Sequence, residues 1–369
     1  MGSSVKKKIV ISAINFSEGG PLTVLRDCTL AAAELLKNEW EIIVLVHKTS
    51  LIEIPGVTLI EFPLSRRSWF IRLYYEWFYF KKLSKEIKPD VWLSLHDITP
   101  RVIVPRQAVY CHNPAPFYQI SLREAWLDPT FLLFNLFYRY LYGISIQHNR
   151  YVIVQQQWLR SEFKRLFDVK DVIVARPAIR LGKIQEQEAN DNKDKYIFFY
   201  PTLPRVFKNV ELVCESVQLL NQAGISNVEV RVTLDGSENR YAAYLVQRYA
   251  CVEGVTFIGR KNAQEMAQQY SESDCVLFPS KLETWGLPIS EAKAMNKPLL
   301  IADLPYAHET VGEYDMVSFV NVFDPVGLSE IMKSIVGGEW EFSHAGATTP
   351  EEPYARNWCE LLSLLTASH

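Results

Sequence analysis

Residues 275–303, CVLFPSKLETWGLPISEAKAMNKPLLIAD, constrain the fold more than any other part of the chain. The apolar run from Cys275 to Pro279 reads as a buried strand, and a polar loop with Glu283 and Gly286 follows it. A helix then opens at Pro288, and a second apolar strand runs from Pro298 to Ala302. Two strands joined through a helix pair in parallel, and a parallel sheet needs helices over both faces. In such sheets the loop after a strand and the amino end of the next helix form a ligand crevice. Unpaired N–H groups and the positive end of the helix dipole suit that crevice to phosphate. Pro288 fits a first helical position, and Gly286 before it leaves room for an anion against the backbone.

The same alternation of strand and helix runs through most of the 369 residues, too many for one core. The chain opens with a strand near Lys8 to Ile14, a turn at Gly19-Gly20-Pro21 and an amphipathic run to about Lys37. This turn is not G-x-G-x-x-G, so a dinucleotide oxidoreductase is the least favoured class. Strands near Ala108 to Tyr110 and at YVIVQ (151–155) follow, the first running into Cys111-His112-Asn113-Pro114. Arg176-Pro177 begins a polar connector, EQEANDNKDK. Beyond it, YIFFY leads into P-R-x-F-K-N, which sets Arg205 and Lys208 between a strand and a helix. Two cations there can neutralise a pyrophosphate without a metal ion, although a solvated pair is the ordinary alternative. The expected division is 1–176, a linker at 177–194, a second domain at 195–350 and a final segment at 351–369.

Charge is uneven along the chain. Residues 1–175 carry 22 Lys and Arg against 16 Asp and Glu, whereas residues 176–369 carry 17 against 26. The acidic second half argues against general nucleic-acid binding. The basic half holds two aromatic helices, WFIRLYYEWFYF (69–80), flanked by Arg66, Arg67, Lys81, Lys82, Lys85 and Lys88, and TFLLFNLFYRYLY (130–142), with Asp128 as N-cap and Pro129 at the first position. Such helices either pack deep in a core or meet a lipid surface, where aromatics settle at the interface and cations reach the headgroups. No apolar run reaches the ~18 residues of a membrane span, and the amino terminus reads as a strand rather than a signal peptide. The six dispersed cysteines read as buried thiols of a reducing compartment. A cytoplasmic protein follows, peripheral on the inner face of the membrane if the aromatic helices face lipid.

Glu283 in the loop and Glu291 on the first helical turn are separated by seven residues. A carboxylate accepts two hydrogen bonds in one plane and so suits a vicinal diol of a ribose or hexose. Taken alone, Glu291 suits a helix-dipole role and Glu283 a solvated loop equally well. The string S-x-x-E-x-x-G-L-P-x-x-E-A, from Ser280 to Ala292, resembles the E-x7-E signature of retaining glycosyltransferases of family 4. That resemblance implies a GT-B architecture, an α/β fold of two Rossmann-like domains with parallel sheets facing across a cleft. It implies transfer of a hexose, with retention, from a UDP- or GDP-linked sugar to a saccharide or lipid-linked saccharide, as in bacterial O-antigen, capsule or exopolysaccharide synthesis. The nucleotide sugar is then a substrate, and no cofactor or metal is called for. By the same resemblance, Glu291 holds ribose, Arg205 and Lys208 the diphosphate, the amides near Gly286 and Leu287 a phosphate, and Glu283 the hexose. Gly19 and Gly20 lie against the donor phosphates or the acceptor, His112 contacts the donor sugar, and the last helix crosses back to the first domain. An epimerase or phosphorylase on the same fold, or a non-catalytic sugar-nucleotide module, remain as alternatives.

Overall fold

The computed structural model describes residues 6–177 and 195–367, so all but the first residue of the expected connector at 177–194 lies outside the described residues. Seven strands come first: β1 (Lys7–Ala13), β2 (Trp40–Val46), β3 (Val57–Glu61), β4 (Val91–Ser94), β5 (Arg106–Cys111), β6 (Tyr151–Val154) and β7 (Val172–Ala175). Seven more follow: β8 (Tyr196–Tyr200), β9 (Val228–Val232), β10 (Val255–Phe257), β11 (Cys275–Phe278), β12 (Leu299–Ala302), β13 (Tyr314–Val320) and β14 (Ser343–Ala345). A two-residue strand, β15 (Tyr354–Ala355), is the last.

They form two sheets, in the orders β15-β7-β6-β5-β4-β1-β2-β3 and β10-β9-β8-β11-β12-β13-β14. Every pairing is parallel except that of β14 with β13. Strands such as Val91–Ser94 and Cys275–Phe278 are buried along their whole length, as a sheet covered on both faces requires.

Two compact units result. The first comprises Met1–Pro116, Leu136–Ala178 and Pro350–His369, the second Phe117–Asn135 and Ile179–Thr349. Residues 117–135 thus group with the second sheet, a departure from a single cut near residue 176. In the first unit the helix Trp358–Thr366 buries Trp358, Leu361, Leu362 and Leu365 in the same core as Ile9, Val44 and Leu93. Residues 354–355 extend the sheet before this helix begins. Four cysteines are buried, while Cys251 and Cys359 are exposed, a correction to the expectation for all six.

The first aromatic segment is a continuous helical rod whose middle turn, Tyr75–Tyr79, is π-helical between α-helical Trp69–Tyr74 and Phe80–Ile87. Its polarity is inverted relative to a surface helix. Arg72 and Glu76 are buried, whereas Phe70 is 86% exposed and Phe78 is 62% exposed. Arg72 Nη2 donates to the carbonyl of His96 at 2.9 Å, and Glu76 Oε1 lies 3.2 Å from His96 Nε2 without hydrogen-bond alignment. The second aromatic helix, Pro129–Gly143, likewise buries Phe131, Tyr138 and Tyr142 and exposes Leu133, Leu136, Phe137 and Tyr140. Neither helix is simply core. No helix among the described residues is long and apolar enough to cross a membrane.

Burial pushes the Glu76 carboxyl up to about 8, and Arg72 offsets this only in part. Burial also holds His96 well below the usual imidazole range. Above about pH 7 His96 is mostly neutral in both folded and unfolded chains, so of the two groups Glu76 carries the larger difference between them. There the folded protein keeps a proton on Glu76 that the unfolded chain has released, and stability falls as pH rises towards 8. The slope approaches ~1.4 kcal/mol per pH unit. Urea titrations of wild type and Glu76→Gln at pH 7 and 8 should show that decline in wild type and lose it in the variant. Parallel declines would place the responsible proton elsewhere.

Candidate functional site

In the second unit the loops that leave β8 and β11 are fastened to each other. The chain after β8 turns through one 3₁₀ turn, Val206–Lys208, and enters the helix Val210–Gln222 at Asn209, whose φ of 61° is left-handed. Asparagine tolerates that region. Asn209 Nδ2 donates to the carbonyls of Pro279 (3.3 Å) and Val322 (2.8 Å). Across the gap, the Lys281 amide donates to Phe207 O at 2.7 Å, Ser280 Oγ donates to the same carbonyl at 3.3 Å, and the Tyr306 hydroxyl holds Ser280 O at 2.8 Å. These bonds fix the backbones on which two site residues stand.

Those residues touch: Lys208 Nζ and the Glu283 carboxylate form an ion pair, and both side chains are largely buried. Lys208 also lies 5.0 Å from the Phe278 ring centroid, a cation over an aromatic face. Arg205, at the start of the same turn, donates from Nη1 to Asp128 Oδ1 at 3.1 Å and Oδ2 at 3.3 Å. Asp128 is buried, and no feature of the local sequence reveals this partnership.

The helix after β11 spans Leu287–Ala294, with Gly286 as its N-cap at φ 81° and proline in its first two positions. A Cβ on Gly286 would lie 3.1 Å from the Phe278 ring and 3.3 Å from Ile289 Cδ1. Packing and backbone conformation therefore require this glycine whether or not an anion approaches. Leu287 is half-exposed beside it. Glu291 lies beyond the first turn, which contains no acid, so the expectation of a first-turn carboxylate is corrected. Its Oε2 accepts from the Tyr270 hydroxyl at 2.6 Å. Burial, followed by the charge of Glu291, raises the Tyr270 phenol well above its usual range, so it remains a donor.

The first unit carries the other candidates. Gly19 and Gly20 begin the helix Gly19–Leu36, Gly19 with φ 65°, and no atom lies within 4 Å of a Cβ built on either. The backbone conformation calls for glycine at Gly19, and at Gly20 neither conformation nor crowding does. His112 follows β5 with its ring against Phe16, centroids 5.8 Å apart. Asp97, at φ 68°, accepts the His112 amide (2.7 Å), the Asn113 amide (3.1 Å) and the Tyr142 hydroxyl (2.7 Å) on Oδ1. Its Oδ2 lies 3.5 Å from His112 Nε2. His112 Nδ1 is buried with no hydrogen-bond partner among the described residues. Sequence reading passed over Asp97; the polar LHD ending an apolar strand was the available signal. Among the described residues no group of three or more His, Cys, Asp or Glu is placed to hold a metal ion.

Residues 182–343 match the family model described as Glycosyl transferases group 1. The O-antigen chain mannosyltransferase RfbU of Salmonella typhimurium is 20% identical over 278 residues, covering 72% of this chain and 70% of that protein. Among solved structures, the sucrose-phosphate synthase of Thermosynechococcus elongatus superposes with a TM-score of 0.64 at 16% identity, over 90% of both chains. Anabaena HepE, solved in complex with UDP and glucose, gives 0.58 at 13% identity, over 97% of this chain and 95% of that one. The chain shares the GT-B fold of these structures, and the comparisons support a glycosyltransferase.

Gly286→Ala should destabilise the ligand-free protein by about 1–3 kcal/mol, because it combines a strained φ with the 3.1 Å contact to Phe278. Denaturant titration without any nucleotide measures this. Wild-type stability would show that the loop can relax and that the glycine serves something other than the fold.

Proposed function

We propose that this chain is a metal-independent retaining glycosyltransferase of the family 4 kind, which moves a hexose from a nucleotide diphosphate sugar to a saccharide or lipid-linked saccharide. The observation that carries this reading is the contact of Lys208 with Glu283 at the carboxyl edge of a parallel sheet, one turn from Arg205. A cation and a carboxylate side by side match the junction of a diphosphate and a sugar, where one end of the ligand is anionic and the other is a polyol.

In the reaction the bond from the anomeric carbon to the diphosphate oxygen breaks, and its electron pair leaves on the nucleoside diphosphate. Arg205 and Lys208 receive that charge in place, which lowers the barrier more than cations recruited from water would. The acceptor oxygen bonds to the anomeric carbon on the face the diphosphate leaves, and its proton passes to the departing phosphate. Glu283 orients the hexose, Glu291 the ribose, and the amides near Gly286 and Leu287 take a phosphate. His112 contacts the donor sugar, and the backbone at Gly19 and Gly20, with no atom within 4 Å of a Cβ built on either, is open to a ligand. UDP and glucose in the Anabaena structure support a nucleotide-sugar donor, and the O-antigen role named for the Salmonella relative supports a bacterial surface-polysaccharide acceptor.

Calorimetry with UDP and GDP separates these roles. Lys208→Ala and Glu291→Gln should weaken nucleoside diphosphate binding, by about tenfold or more for a lost charged hydrogen bond. Glu283→Gln should spare nucleotide binding and depress turnover, a loss confined to the sugar step. Equal losses of affinity in both glutamate variants would show the roles misassigned. Sugar-nucleotide turnover without any acceptor would favour an epimerase, and binding without turnover a non-catalytic module.

The acceptor side includes a peripheral membrane contact at the cytoplasmic face. The first unit exposes Phe70, Tyr74 and Phe78 along one rod, with Arg66, Arg67, Lys81, Lys82 and Lys85 exposed beside them in the sequence. Trp69 meets Tyr138 edge-on at 6.1 Å, which brings this rod to the helix that exposes Phe137 and Tyr140. Aromatic rings bordered by cations suit an anionic lipid interface. The protein should co-sediment with anionic vesicles at low salt, less at high salt, and lose binding in Phe70→Ser/Phe78→Ser. No co-sedimentation of the wild type with either anionic or neutral vesicles would remove the membrane from the reading.

A further inference from the structure

Arginine presents its donors along two edges of a rigid plane, and a phosphate is best held by two parallel bonds from one edge. A long side chain 35% exposed, as Arg205 is, does not hold such an edge in place unaided. Asp128 supplies the missing constraint. Both of its carboxylate oxygens take Nη1 of Arg205, and neither Nε nor Nη2 has a partner among the described residues. The carboxylate is itself fixed. Its Oδ1 accepts the Phe131 amide at 3.0 Å as the cap of the helix Pro129–Gly143, and its own amide donates to Glu124 O at 2.8 Å. Aromatic packing carries the same registration, since the Phe131 and Phe207 rings lie 4.9 Å apart and Tyr118 meets both.

We infer that Asp128 is a positioning residue of the donor site: it pins Nη1 of Arg205 and leaves the Nε–Nη2 edge for two oxygens of the nucleoside diphosphate. The inference rests on the proposed role of Arg205. Segment 117–135 then contributes to donor recognition without touching the donor, and a charge on that segment sets how tightly diphosphate is held.

The test is a double-mutant cycle on the full chain, with UDP and GDP as probes and uridine and guanosine as phosphate-free controls. Asp128→Asn keeps an oxygen for the helix cap, so its melting temperature should match wild type. Its affinity for the preferred diphosphate should fall about tenfold, ~1.4 kcal/mol, with nucleoside binding unchanged. In an Arg205→Ala background the same change should alter affinity less than about twofold. Should Arg205→Ala alone leave diphosphate affinity intact, the proposed role of Arg205 fails. Should Arg205→Ala weaken binding while Asp128→Asn has no effect, tightens it, or adds its full cost in the double variant, the positioning role alone is overturned.

Discussion

The side-chain amide of Asn209 holds the second unit's crevice together. Its Nδ2 donors reach the ends of two other strand–loop connections, at Pro279 and Val322, while its left-handed backbone turns the chain from the Lys208 turn into a helix. Three loops at the carboxyl edge of one sheet are thereby fixed to each other through one residue. The Lys281 and Ser280 donors on Phe207 O reinforce the first of these links, and a diphosphate site needs its donors held to within a fraction of an ångström. The ion pair of Lys208 with Glu283 stands on this scaffold, since both residues belong to the loops so joined.

What was legible in the sequence was local. The strand, loop and helix around Glu283 and Glu291 are contiguous, and periodicity with one glycine and one proline is enough to place them. Glu291 falls past the first turn because the helix starts at Leu287 rather than Pro288, and element ends are the part of a pattern that periodicity fixes least. Partnerships across the chain left no comparable trace. Asp128 announces a helix cap and nothing more, and only the fold reveals Arg205 beside it, 77 residues on. Tyr270 on Glu291 and Asp97 beneath His112 are of the same kind.

The aromatic rod from Trp69 to Ile87 shows why composition misleads. A segment rich in aromatic residues asks to be buried, yet here Arg72 and Glu76 face inward while Phe70, Tyr74 and Phe78 face out. A buried arginine and a protonated carboxyl satisfy or shed their charges around His96, whereas the exposed rings keep a direct cost against water. The π-helical turn at Tyr75–Tyr79 adds a residue to the rod's middle, and turns of that kind shift which side chains share a face. Reading the rod as a regular helix therefore blurs the two faces that matter.

The core that surrounds β1 and β4 includes Trp358, Leu361, Leu362 and Leu365, while the entire second sheet is encoded between the two parts. During synthesis the first unit therefore emerges early but lacks a piece of its own interior until residue 365 leaves the ribosome. The second unit has all its strands before that moment. The usual order, in which the amino-terminal domain is finished first, is inverted here. For the time it takes to make more than half the chain, the first sheet, with seven of its eight strands made but the last helix still missing, shows apolar surface around Leu25 and Ile9, and that interval is when chaperones have something to hold.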